Sequence, residues 1–109
     1  MASGDLKHSA DSFMADCLER LRKVPFSDIA SWPEYPAVPP VPLNVPEELS
    51  SYTFTLMKDT LPTGEVRVAI QRYRSRLLGI TAEMTANGFV AAPNGLTRPL
   101  SEQDIWDLT

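Results

Sequence analysis

The sequence predicts an α+β fold: an N-terminal helix packed on a small antiparallel β-meander of about four strands, with a proline-rich arm between them and a short C-terminal helix. Three observations carry this reading. Apolar residues recur at spacings of three and four from Leu6 to Val24. Six prolines fall between Pro33 and Pro46, and from Tyr52 onward the apolar period changes to two. The expected order is helix over 1–24, arm over 25–51, sheet over 52–95 and terminal helix over 96–109, all in one domain of 109 residues. A domain this size buries only roughly 60–70% of its unfolded surface, so homodimerisation is part of the expectation.

The first helix is read from the stripe Leu6, Ala10, Phe13, Met14, Cys17, Leu18, Leu21 and Val24. Ser9 or Ser3 caps its start. Arg20, Arg22 and Lys23 gather in its last turn, where the helix dipole favours cations. Pro25 disfavours the helical conformation at Val24 and ends it.

In PFSDIASW the sequence predicts one short helical turn capped by Ser27. The tract PEYPAVPPVPLNVP then fixes φ repeatedly and removes N–H donors, which excludes a helix interior or a central strand and favours polyproline II. Pro36–Pro39 and Pro39–Pro42 both fit PxxP, a ligand pattern for aromatic grooves. Such ligands carry a flanking Lys or Arg, whereas residues 25–51 hold Asp28, Glu34, Glu47 and Glu48 and no basic residue. The other reading is a structural arm that lays Trp32, Tyr35, Val38, Val41, Leu43 and Val45 on the domain's own surface.

SYTFTLMKDT and EVRVAIQRYR alternate, and Pro62-Thr63-Gly64 between them suits a tight turn closed by a residue of positive φ. That loop sets Leu56 opposite Ile70 and Asp59 opposite Arg67. For LLGITAEMTANGFVAAPNG two readings compete. As a helix, Leu77, Ile80, Thr81 and Met84 form a stripe closed by Asn87-Gly88. As a hairpin turning at Asn87-Gly88, Ile80, Ala82, Met84, Ala86, Phe89 and Ala91 share one face. The threonines and Gly79 weaken the helix, so the hairpin is preferred. Ser101 with Asp104 resembles a capping box, and Ile105, Trp106 and Leu108 supply a contact for the terminal helix.

Catalytic sets are missing from the residue pattern. Zinc requires three or four soft or carboxylate ligands, and Cys17 and His8 are the lone cysteine and histidine. They stand nine residues apart, roughly 13 Å along a helix. The five glycines are scattered rather than gathered into a phosphate loop. Glu102, Asp104 and Asp107 suit a helix start better than acid–base chemistry. No metal and no cofactor is expected, and an enzyme with a carboxylate site invisible in sequence is the third-ranked reading.

The remaining feature is QRYRSRLL, where Arg72, Arg74 and Arg76 share one strand face. The chain is acidic overall, with formal charge −4, yet Lys58, Arg67, Arg72, Arg74 and Arg76 outnumber Asp59 and Glu65 between residues 52 and 76. The sequence therefore assigns the open face of the sheet to these arginines or to a second copy, and lets one arginine stack on Phe54. The functional expectation is a non-catalytic accessory or regulatory module that binds a protein through Arg67, Arg72, Arg74, Arg76, Trp32 and Tyr35. The alternative is a nucleic-acid binder using the basic strand 67–76, disfavoured by the surrounding acids. One cysteine, no apolar run of about 18–20 residues and an N-terminus unlike a signal peptide together suggest a cytoplasmic protein.

Overall fold

The computed structural model describes residues 3–76 and 81–100. Along the chain run α1 (Ser3–Arg22), α2 (Phe26–Ser31), a 3-10 turn (Glu47–Leu49), β1 (Thr53–Thr60), β2 (Val66–Arg76), β3 (Thr81–Ala91) and β4 (Thr97–Pro99). The strands form one antiparallel sheet in the order β1-β2-β3-β4. The α+β class and the helix-on-meander architecture are those the sequence predicts.

The helical stripe is the core-facing one. Met14, Leu18 and Leu21 of α1 join Leu56, Val66, Val68, Ile70, Phe89 and Ala91 of the sheet in a single buried cluster, closed by Ile29 and Trp32 from α2 and its end. Each aliphatic or aromatic side chain so buried contributes about 1.5–3 kcal/mol. A smaller cluster of Ala10, Leu49 and Tyr52 lies beyond it, and Phe13 meets Phe54 edge-on at 5.0 Å between ring centres. Ser9 lies inside α1, which begins at Ser3, the other cap considered; Ser27 lies inside α2 instead of capping it, and Pro25 precedes α2 without a side-chain cap. Pro25 still separates the two helices, because its fixed φ suits the residue before a helix but not a helix interior.

The first hairpin has the anticipated register, with Leu56 opposite Ile70 and Asp59 opposite Arg67. Its loop closes through Leu61 N–H to Glu65 O at 2.8 Å and Gly64 N–H to Leu61 O at 2.9 Å, with Gly64 at φ 89°.

Asn87-Gly88 is not a turn. β3 runs unbroken from Thr81 to Ala91 and pairs with β2 along its whole length, Gly88 standing opposite Ala69. The physical reason lies at Gly88, where an added Cβ would come within 2.0 Å of the Val68 carbonyl oxygen. Here the glycine permits close backbone approach within a strand rather than positive φ. One continuous strand also gives all eleven residues of β2 a partner. Unbroken alternation separates Met84 and Ala86 from Phe89 and Ala91, so the single apolar face expected of a hairpin does not exist. The helix reading fails too from Thr81 onward, and Leu77 and Ile80 lie outside the described residues. The sheet continues past residue 95, because Thr97–Pro99 pairs with Phe89–Ala91. The expected terminal helix with Trp106 falls outside the described residues.

Alternation also corrects the open face. Val66, Val68, Ile70, Arg72 and Arg74 have one parity, so the arginines continue the helix-covered face instead of turning away from it. On the opposite face Met57, Ala69, Val90 and Arg67 are buried, while Tyr73 and Met84 are exposed.

Candidate functional site

Two of the candidate arginines, Arg67 and Arg72, are buried. Arg72 is 3% exposed, donates from Nη1 to Asp11 Oδ1 at 2.5 Å and stacks over the Tyr52 ring at 5.3 Å. Tyr52, not Phe54, is thus its aromatic partner. Arg74 stacks on the same ring at 5.2 Å and donates to the Tyr52 hydroxyl at 3.3 Å. Together they cover Tyr52 and fasten α1 to the end of the sheet. Arg67 is buried on the other face and grips Asp59 through two bonds, Nε to Oδ1 at 2.8 Å and Nη2 to Oδ2 at 2.5 Å. Arg76 is the last residue of β2, opposite Thr81. The six candidates therefore do not converge. Arg72 and Arg74 meet at Tyr52, Arg67 sits across the sheet, Trp32 is in the core, and Tyr35 stands on the arm.

A lysine that the sequence did not single out organises the arm. Lys58 lies on the helix-covered face and is 3% exposed. Its Nζ donates to Ala30 O at 3.1 Å, to Trp32 O at 3.0 Å and to the Glu34 carboxylate. Three N–H protons thus meet three acceptors, two of them carbonyls at the end of α2. Glu34 also accepts from Thr60 N–H at 2.8 Å. The Lys58 hydrogen bond holds the Glu34 carboxyl below its usual value of 4.5; partial burial opposes this and the Thr60 bonds reinforce it. The signal was present in TFTLMK, where a cation interrupts the Phe54, Leu56 face.

Beyond this latch the arm leaves the strand. Tyr35 N–H donates to Lys58 O at 2.8 Å, and the next donor of its parity, Ala37 N–H, turns back to Glu34 O at 3.0 Å. The arm is exposed at Tyr35 (52%), Val38 (63%) and Val45 (40%), while Val41 and Leu43 pack against the core. Between arm and strand lies a groove of about 330 Å³, with Val38, Val41 and Val45 on one wall and Phe54, Thr55 and Leu56 on the other. This groove, with exposed Val38 and Val45 on its wall, has unspent contact capacity.

A second hollow of about 150 Å³ lies between α1 and the arm, beside Cys17. The thiol is buried and free, and Arg20 Nη2 donates to its sulfur at 3.4 Å. Among the described residues no three His, Cys, Asp or Glu side chains cluster as metal ligands, and no helix is long and apolar enough to cross a membrane. Comparison with known proteins found no matching family model, no matching curated protein and no matching solved structure.

Proposed function

We propose that the chain is a non-catalytic protein-binding module, accessory or regulatory in role, which receives its partner at the groove between the proline arm and β1. The observation that supports this is the exposure of Tyr35, Val38 and Val45 beside an apolar groove on a small domain. The arm is held at one end by Lys58 and at its middle by Val41 and Leu43, so the groove is preformed and a partner would not bear the cost of ordering it. Of the arginines first considered, Arg74 at the edge of the Tyr52 cluster remains a peripheral contact in this reading. Nucleic-acid binding through the basic strand has less support, since Arg67 and Arg72 are buried against acids. A buried, unpaired thiol is in keeping with a cytoplasmic location.

The test is site-specific photo-crosslinking in the producing cells, with the crosslinker placed in turn at Val38, Val45 and Tyr73. A discrete partner captured from the first two positions and lost in the Val38→Glu, Val45→Glu double variant is the expected result. Equal labelling from Tyr73, on the opposite face, would refute the groove as the site.

A further inference from the structure

Resting on that reading, we infer that the groove takes its partner as an added β-strand: an extended segment with alternating apolar residues and Lys or Arg at its flanks. The first argument is the wall of the groove. Phe54, Thr55 and Leu56 are consecutive and all line it, although successive strand side chains point to opposite faces. A cavity touching all three lies along the strand's edge, not over one face.

The second argument is backbone bonding. β1 is an edge strand. The outward position of Lys58 O and Thr60 N–H, both bonded to the arm, fixes the parity of the ladder. Phe54 and Leu56 share it, so their N–H and C=O groups also point outward. Among the described residues the arm makes no backbone bond to either. The chain's own Tyr35 thus makes one ladder-type bond on this edge, and the Glu34–Ala37 turn carries the arm away just before the groove. An extended backbone is the ligand whose donors and acceptors match that unfinished row.

The third argument is charge. Glu47 and Glu48, both exposed, directly follow the groove residue Val45 and Pro46, and residues 25–51 contain no cation. Asp11 is already engaged by Arg72, and Glu34 by Lys58. Among the described residues Glu47 and Glu48 have no ion-pair partner, and these acids next to the groove in sequence favour a partner with basic flanks.

The experiment selects from a displayed library of random eight-residue peptides on the intact chain, then measures binding of a selected synthetic peptide by fluorescence polarisation. Enrichment of alternating Val, Ile or Leu with Lys or Arg is expected. N-methylation of single amides should weaken binding about tenfold at alternate positions and little at those between, since one lost hydrogen bond of roughly 1.4 kcal/mol is a factor of ten. Amide exchange at Phe54 and Leu56 should slow on peptide addition, and Glu47→Lys with Glu48→Lys should reduce affinity for the basic peptide. Uniform tolerance of N-methylation overturns strand addition while leaving a groove-binding partner intact, as does failure to enrich any peptide when the crosslinks at Val38 persist. If the chain instead forms a dimer that protects Phe54 and Leu56 without peptide, the occupant is a second copy and the peptide inference is overturned. Loss of the Val38 crosslink itself removes the underlying reading.

Discussion

Replacing Lys58 by Met keeps the aliphatic stem and removes the ammonium, so the change isolates three hydrogen bonds from packing. The Ala30 and Trp32 carbonyls lose a charged donor at a site where the lysine is almost fully buried. Bonds to charged groups are worth about 1.5–3 kcal/mol each, and partial rehydration of the exposed side recovers some of this. We expect a loss of about 3 kcal/mol for Lys58→Met. With a urea slope near 1.5 kcal/mol/M, the midpoint falls by about 2 M. Glu34→Gln provides the contrast. The Glu34 side chain is half exposed, so its ion pair is screened and worth less than about 1 kcal/mol, and the glutamine carbonyl can still accept from Thr60 N–H. Urea denaturation of both variants at neutral pH, followed by tryptophan fluorescence, measures the difference. If Glu34→Gln costs as much as Lys58→Met, the ion pair and not the carbonyl pair anchors the arm, and the account of the latch is wrong.

The same pair sets a pH dependence. Because the folded carboxyl of Glu34 is held below 4.5, its contribution is complete above that value and disappears as the pH falls through the lower folded value. The stability difference between the wild type and Lys58→Met should therefore narrow below pH 4.5, as urea titrations at successive pH values would reveal. Gly88→Ala places a methyl against the Val68 carbonyl and should cost at least about 2 kcal/mol by calorimetry, as overpacking of a rigid site does; a neutral result would mean β2 and β3 are not closely apposed there. Asp11→Asn removes an acid whose side chain is more than half exposed, so it should cost less than about 1 kcal/mol. Arg72→Ala should cost more, since it also uncovers Tyr52. Thermal melts that reverse this order would contradict the assigned burial.

What was legible in the sequence tracks how local the governing interaction is. The β1–β2 hairpin was readable to the residue because its turn and both alternating segments lie within 24 residues of chain. Asn87-Gly88 misled for the opposite reason. A dipeptide that favours a tight turn also suits a strand where two backbones crowd, and only the eleven-residue partner β2 decides between them. Arg72 shows a related failure. Period two already put it on the face of Val68 and Ile70, but its charge argued for water, and the compensating Asp11 stands 61 residues earlier. The groove was half visible: the valines of the arm stood out, whereas their facing residues Phe54 and Leu56 read as ordinary core positions.

The unbroken order β1-β2-β3-β4 carries a kinetic consequence. Every ladder joins sequence neighbours, so each closes over a short length of chain at small entropic cost. The sheet can zip in sequence, whereas docking α1 across it requires Asp11 to find Arg72 over the longest separation of any charged pair described here. That contact belongs to the late part of assembly, so loosening it should quicken unfolding far more than it slows refolding.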